Sequence, residues 1–162
     1  NEAQTRFNKI DSMQHRIKEL GSNNLKTFIT VIYILFLTSL ASISIPDNVT
    51  FIGERAFEGC SNLTSATIGN GVTSISQYTF SQCSKMTSIT IGNSLNNIGY
   101  VAFSNCNSLK DVYCHAEMVP NVNNYGFSNC PIEKATLHVP TNLIESYKNE
   151  YPWKYFGIIV EL

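Results

Sequence analysis

The sequence predicts a β-rich solenoid in which 23-residue repeats contribute short parallel strands joined by turns or short helical turns. The first observation is a block that recurs at equal length and without a break in register, at 45–67, 68–90 and 91–113. The second is that each block reserves the same positions for apolar side chains or a thiol. Such short blocks do not bury these side chains by themselves, so the repeats must stack and share one core.

Each block ends in an alternating segment that predicts a strand. Ala66 and Ile68 are apolar at a spacing of two, and the next block repeats this pattern. The alternation indicates a strand with one face in the core, and stacked blocks place such strands side by side in parallel. Gly-Asn pairs follow at 69–70 and 92–93, where the chain has to turn and where a glycine permits a positive φ.

Phenylalanine and cysteine recur at two further positions of the block. The stretch around Phe57 lies between Gly53 and Gly59, which predicts a turn or a single helical turn that inserts the ring into the core. Equivalent residues of successive repeats point in the same direction, so the rings and the thiols each form a column. The members of this predicted core ladder are Phe57, Phe80, Phe103, Phe127, Cys60, Cys83, Cys106 and Cys130.

Residues 114–139 are a degenerate fourth repeat. An insertion lengthens it, so that Phe127 stands one position later than the regular period from Phe103 would place it. Pro140 ends the repeat because it lacks a backbone donor. The final strand is predicted from Ala135, Leu137 and Val139.

Residues 140–162 are predicted to be a C-terminal cap made of a helix and an aromatic cluster. Asn142 with Glu145 three positions later is typical of a helix start, and the helix is expected to run from Leu143 to Lys148. The cluster that follows suits the open end of a solenoid core. Its members are Tyr151, Pro152, Trp153, Tyr155 and Phe156.

The repeat pattern I-P-x-x-V-T-x-I-G-x-x-A-F-x-x-C-x-x-L-x-x-I, carried by 45–66, resembles the BspA-like leucine-rich repeats of surface proteins from anaerobic bacteria and some parasitic protists. The resemblance covers roughly residues 39–162, and the segment LHVPTNLIESYKNEYPWKYF is similar to the closing segments of that family. It implies a leucine-rich-repeat solenoid. It also implies a secreted or cell-surface protein that attaches to host matrix proteins, host cells or other microbes.

The N-terminal part of the chain has a different composition. Residues 1–24 are polar and are expected to be a short exposed helix or disordered. The hydrophobic segment 25–44 has three interpretations, of which the first two predict an N-terminal hydrophobic helix: a signal peptide, a membrane anchor, or the strand of an eroded earlier repeat. The third arises because Leu40 stands one repeat period before Leu63.

The positions of the cysteines in the repeat favour a role in core packing over a role in metal binding or catalysis. The ladder thiols stack in parallel and do not point at one another, which favours buried free thiols, with a disulfide as the alternative in an oxidising compartment. The sequence has no C-x-x-C pair, so neither a metal nor another cofactor is expected. Cys114 and His115, with Asp111 and His138, are the one constellation suggestive of a nucleophile and a base. Cys114 occupies a core position of the repeat, and the familiar catalytic motifs are absent, so no enzymatic activity is expected.

The outward residues of the predicted strands are the candidate partner-binding surface. A solenoid presents them as an extended face with little entropy to lose on binding, and Tyr113 is the strongest candidate because aromatic residues dominate hot spots. The inserted loop 117–125 is a second candidate. The predicted binding residues are Ser65, Thr67, Ser88, Thr90, Asp111 and Tyr113.

Charge and composition limit the partners further. The 162 residues are 43% hydrophobic and 14% charged, with a formal net charge of -1. No clustered positive field is available for nucleic acid, and a membrane is a partner only through the N-terminal hydrophobic segment. We therefore expect non-enzymatic protein recognition outside the cell. The alternative is a structural spacer and cap that belongs to a larger surface protein.

Overall fold

The computed structural model describes residues 40–162, which form a stack of short strands around one core. A six-stranded sheet has the order β1-β2-β4-β6-β8-β9, and a three-stranded sheet has the order β3-β5-β7. Every pairing in both sheets is parallel. The strands are β1 (Ser42–Ile45), β2 (Ser65–Ile68), β3 (Ser74–Ile75), β4 (Ser88–Ile91), β5 (Asn97–Ile98), β6 (Asp111–Cys114), β7 (Asn121–Val122), β8 (Thr136–Val139) and β9 (Ile158–Glu161).

The repeat period sets the register of the six-stranded sheet. Ile45 pairs with Ile68, Ile68 with Ile91, and Ile91 with Cys114. From β1 to β8 the second and fourth residues of each strand are buried, while the first and third are at least partly exposed. The parallel solenoid predicted from the repeat is therefore present in the described residues.

The phenylalanine rings form a continuous stack through the core. Ring centroids lie 5.1 Å apart for Phe57 and Phe80, 5.5 Å for Phe80 and Phe103, and 5.2 Å for Phe103 and Phe127, with interplanar angles of 10° or less. The chain approaches each ring through turns, in which Tyr78 and other residues at the same repeat position adopt positive φ. The turns thus point one ring per repeat towards the core.

The strand β1 shows how the repeats begin in the described residues. It pairs in parallel with β2, in the same register that β2 keeps with β4. Residues 42–45 are therefore the strand of a repeat that precedes the block starting at Ile45. The expectations for residues 1–24 and for a hydrophobic helix that serves as a signal peptide or membrane anchor at 28–40 fall outside the described residues, apart from Leu40. Within residues 40–162 no helix is long and apolar enough to cross a membrane.

The C-terminal segment differs from its prediction in three details. Helix α1 spans Ile144–Asn149 and follows a 3₁₀ helix at Thr141–Leu143, so Asn142 lies inside a helical turn and cannot cap α1. The capping prediction was wrong: the N-cap is Leu143, and no side chain in the described region caps it. The strand that was predicted to be the last is β8, which begins at Thr136. It is not the last strand, because β9 follows it and pairs with it in parallel.

Glycine at the corners serves a purpose that differs from the expected one. Among the described residues the positive-φ glycine is Gly59, whereas Gly69 and Gly92 have ordinary φ values. A Cβ on Gly92 would lie 2.6 Å from the backbone oxygen of Gly69, and a Cβ on Gly69 would lie 2.6 Å from the carbonyl carbon of Pro46. These corners require glycine because successive repeats approach each other closely there.

We expect Gly92→Asn to lower the free energy of unfolding by about 1–3 kcal/mol, because the new side chain must displace the backbone of the neighbouring repeat. The matched control is Gly59→Asn, which should change stability by no more than about 0.5 kcal/mol. Gly59 has φ +73 and no neighbour within 4 Å of an added Cβ, and Asn105 at the same repeat position already adopts φ 61. Urea denaturation of both variants tests this, and equal losses would contradict it.

Candidate recognition surface

The outward side chains of the six-stranded sheet form one surface, which we call the strand face. It consists of two columns that run across the strands, because residues at the same strand position pair between neighbours. All six residues predicted to bind a partner belong to it, and all are exposed or partly exposed. The members on β1 to β8 are Ser42, Ser44, Ser65, Thr67, Ser88, Thr90, Asp111, Tyr113, Thr136 and His138.

Two side chains of the strand face, Asp111 and Tyr113, contact a third, His138. The Tyr113 ring stacks on His138 with centroids 4.2 Å apart and planes 13° from parallel. His138 Nε2 lies 3.2 Å from Asp111 Oδ1. Because a carboxylate only accepts hydrogen bonds, His138 Nε2 carries the proton and donates it. We call these three residues the Asp-Tyr-His cluster; His138 was not among the residues predicted to bind a partner.

On β1 to β8 the rest of the strand face is made of small hydroxyl side chains, and on β9 the face continues with Ile158 and Val160, which pair with Thr136 and His138. Thr67 and Thr90 also border an open groove of about 540 Å³ at the end of their strands. Its other polar walls include Asp47, His115 and Glu117. Asp47 Oδ1 accepts a hydrogen bond of 2.7 Å from the backbone of the next repeat, which fixes that wall. The face therefore combines a flat hydroxyl-rich area with one aromatic and charged cluster.

The constellation considered for catalysis does not assemble. Cys114 is buried, and its sulfur accepts a hydrogen bond of 3.3 Å from the Tyr147 hydroxyl. Burial raises the pKa of the Cys114 thiol, which keeps it protonated and unreactive. His115 lines the groove, and His138 is hydrogen-bonded to Asp111. Neither histidine is hydrogen-bonded to Cys114 in the described part of the chain, so no nucleophile–base pair is formed there.

The cysteines of the ladder are free and buried. Each of three thiols donates to the carbonyl of a phenylalanine in the preceding repeat: Cys83 to Phe57 at 3.3 Å, Cys106 to Phe80 at 3.3 Å and Cys130 to Phe103 at 2.8 Å. The neighbouring Cys60 thiol and burial raise the pKa of Cys83. The thiols thus link successive repeats. Within residues 40–162 no group of three or more His, Cys, Asp or Glu side chains is placed to hold a metal ion.

We expect all five thiols to react slowly with a disulfide reagent such as dithionitrobenzoate in the folded protein and rapidly after unfolding in urea. The reason is that all five thiols are buried and therefore inaccessible to the reagent. Counting released thiolate over time, with and without urea, measures both rates. Rapid reaction of two or more thiols in the folded chain would contradict the ladder, and fewer than five thiols in urea would indicate a disulfide.

The turns carry a second exposed aromatic feature, which was not predicted from the sequence and which we call the tyrosine stripe. Tyr78, Tyr100 and Tyr125 form two edge-to-face contacts with centroids 5.7 and 5.6 Å apart. Arg55 lies 4.1 Å above the Tyr78 ring. Tyr125 also belongs to the inserted loop 117–125, the second predicted contact, which contains β7. Tyr78 and Tyr100 occupy different repeat positions, so no column of tyrosines is visible in the sequence.

The C-terminal residues cover the last ring of the phenylalanine stack. Trp153 is fully buried and meets Phe127 edge to face at 5.5 Å. Its Nε1 donates a hydrogen bond of 2.8 Å to the carbonyl oxygen of Pro120 in the insertion. Tyr151 donates one of 2.7 Å to the carbonyl oxygen of Asn124. The C-terminal segment is thus attached to the degenerate repeat by both packing and hydrogen bonds.

A repeated parallel strand, one stacked phenylalanine per turn and a shared core define a leucine-rich-repeat solenoid. The family model for the BspA type leucine rich repeat region matches residues 32–151 in six copies. The chain belongs to this family, as the resemblance in the sequence predicted. Six copies exceed the three full blocks and one degenerate block that can be read directly from the sequence.

The chain is similar to two solved structures, and the first of them shows the same fold. A leucine-rich repeat protein from Bacteroides ovatus ATCC 8483 is 25% identical with a TM-score of 0.52, over 80% of this chain and 35% of that protein. A leucine rich cell surface protein from Faecalibacterium prausnitzii A2-165 is 21% identical with a TM-score of 0.40, over 83% and 37%. The chain thus spans about a third of the length of these proteins. No curated protein matches the chain significantly.

Proposed function

We propose that this protein is a non-enzymatic recognition module that binds a protein partner through its strand face. The observation that carries the proposal is the Asp-Tyr-His cluster. It concentrates an aromatic ring, a carboxylate and an imidazole on a face whose other side chains on β1 to β8 are small and carry hydroxyl groups. Binding hot spots are typically aromatic and charged residues surrounded by contacts of little energetic weight. This is the composition of the strand face.

The rigidity of the surface supports the same proposal. The residues of the cluster lie on β6 and β8, whose backbones are paired and whose inward side chains are fully buried. A partner therefore orders few side chains on binding, which lowers the entropic cost of association. We propose further that residues 140–162 act as the C-terminal cap of the solenoid, supported by the burial of Trp153 against Phe127.

The place of action and the kind of partner are inferred from the family. BspA-like repeats occur in surface proteins, so we propose that this chain is secreted or displayed on a cell surface. Its partners would be extracellular matrix proteins, host cells or other microbes. Fixed, extended solenoid faces are suited to large protein partners of this kind.

The test is binding of the full 162-residue chain to immobilised extracellular-matrix proteins and to host cells. We compare it with a variant that carries Asp111→Ala, Tyr113→Ala and His138→Ala. A control variant carries Tyr100→Ala and Tyr125→Ala, which remove aromatic rings from the tyrosine stripe. We expect saturable binding that the first variant weakens at least about tenfold and the control leaves unchanged, because hot-spot truncations cost about 2 kcal/mol or more.

Either of two results would overturn the proposal. Loss of binding only in the control variant would transfer recognition to the tyrosine stripe. Absence of binding by the full chain, with far-ultraviolet circular dichroism showing that it is folded, would favour the structural spacer and cap.

A further inference from the structure

The Asp-Tyr-His cluster leaves one oxygen of its carboxylate available to a ligand. Asp111 Oδ1 accepts the hydrogen bond from His138 Nε2 at 3.2 Å. Asp111 Oδ2 has no hydrogen-bond partner among residues 40–162, and the side chain is 38% exposed. The imidazole therefore fixes the orientation of the carboxylate without using its full accepting capacity. A donor that approaches from solvent would meet an anion whose position is already set.

The neighbouring tyrosine contributes an aromatic face on the side away from the histidine. One face of the Tyr113 ring is covered by His138. The other face is directed towards β4, where the residue paired with Tyr113 is Thr90. Asp111 similarly pairs with Ser88 on β4. Since Ser and Thr are much shorter than Tyr, β4 forms a low floor beside a wall made of the Asp111 carboxylate and the Tyr113 ring.

The low floor on β4 and the wall on β6 together form a step in the surface. The charge and shape of this step favour one class of ligand. Asp111 is the only residue with a formal negative charge among the strand-face residues of β1 to β8, and those residues include no Lys or Arg. An aromatic face attracts a cation, and a carboxylate pairs with one. A guanidinium group satisfies both, because it is planar for stacking and presents donors in a fork. We propose that this step binds an arginine side chain of the protein partner.

The inference rests on the proposed function in so far as it names the partner's chemistry, but a small probe tests it without the natural partner. The full chain is titrated with the peptide Ac-Gly-Arg-Gly-NH2 while the ring resonances of Tyr113 and His138 are followed by nuclear magnetic resonance. A peptide with citrulline in place of arginine has nearly the same shape and no charge. We expect saturable shifts with the arginine peptide and none with the citrulline peptide.

Variants locate the binding site. Asp111→Asn and Tyr113→Leu should each weaken the arginine peptide about twofold to fivefold, as for exposed ion pairs and cation–π contacts. Tyr113→Phe keeps the ring and should retain binding. Glu117→Gln removes one negative charge elsewhere and serves as the matched control, which should bind like the original chain. Circular dichroism confirms that each variant is folded.

Two results would overturn the arginine site: equal shifts with the citrulline peptide, or binding that Asp111→Asn leaves unchanged. The failure of this inference differs from that of the proposed function. One outcome is that the arginine peptide fails to bind while the variant with Asp111→Ala, Tyr113→Ala and His138→Ala still shows weakened binding to matrix proteins. In that case only the arginine site is wrong. If the peptide binds at Asp111 and no matrix protein or host cell binds, the site stands and the proposed adhesive function is wrong.

Discussion

Replacing Phe80 by alanine is expected to lower the free energy of unfolding by about 3–5 kcal/mol, the usual cost of a large cavity in a core. Phe80 is fully buried, and its ring stacks on Phe57 at 5.1 Å and on Phe103 at 5.5 Å. Its loss therefore removes contacts with the repeats on both sides. Urea denaturation followed by circular dichroism measures the change.

The matched control for Phe80→Ala is Tyr125→Ala, which also removes an aromatic ring. Tyr125 is 56% exposed and lies on the tyrosine stripe, so its loss should cost no more than about 1 kcal/mol. If the two substitutions cost the same, the phenylalanine stack would not be the main support of the solenoid.

The second large effect is expected from Trp153→Ala, again about 3–5 kcal/mol. This substitution removes a fully buried side chain that covers Phe127 and contacts Tyr147. It also leaves the carbonyl oxygen of Pro120 without the hydrogen bond that Trp153 Nε1 donates at 2.8 Å. Circular dichroism follows unfolding, because the variant lacks the single tryptophan of the chain.

Tyr155→Ala is the control for the end of the solenoid. Tyr155 lies close to Trp153 in the chain and is 53% exposed, so its replacement should change the free energy of unfolding by less than about 1 kcal/mol. A small effect of Trp153→Ala would show that the repeats are stable without the C-terminal segment, and the proposed cap would then be wrong.

The stacked parallel strands were predictable because the apolar pattern that produces them recurs in every repeat of the sequence. A strand that returns once in every repeat must pair with its predecessor in fixed register, so Ser65, Ser88 and Asp111 had to share a column. The outward position of Tyr113 on the same face follows for the same reason. His138 was not predicted to lie beside Tyr113. The insertion places β8 later in the chain than the regular period would, so the repeat pattern did not indicate that the two residues are neighbours. The apolar residues Leu137 and Val139 on either side of His138 were the sequence feature that could have predicted its outward position.

Other features depend on distances that a repeat pattern does not contain. Glycine at position 92 was expected because it permits the backbone conformation of a turn. In the structure, glycine is required there because the backbone of Gly69 in the preceding repeat approaches it closely. The strand β9 has no repeat signature of its own, and it forms because the preceding aromatic segment returns the chain to the edge of β8. The tyrosine stripe joins residues from different repeat positions, which only the folded turns bring together.

Photo-crosslinking identifies which surface of the protein touches a bound partner, and so tests whether recognition occurs on the strand face. Benzoylphenylalanine is placed at Thr67 on the strand face or at Gln77 on the turn side, both of which are exposed. Each full-length variant is irradiated with a matrix protein that binds the original chain. We expect crosslinks from position 67 that free partner outcompetes, and none from position 77. Crosslinks from position 77 alone would show that the partner does not bind the strand face.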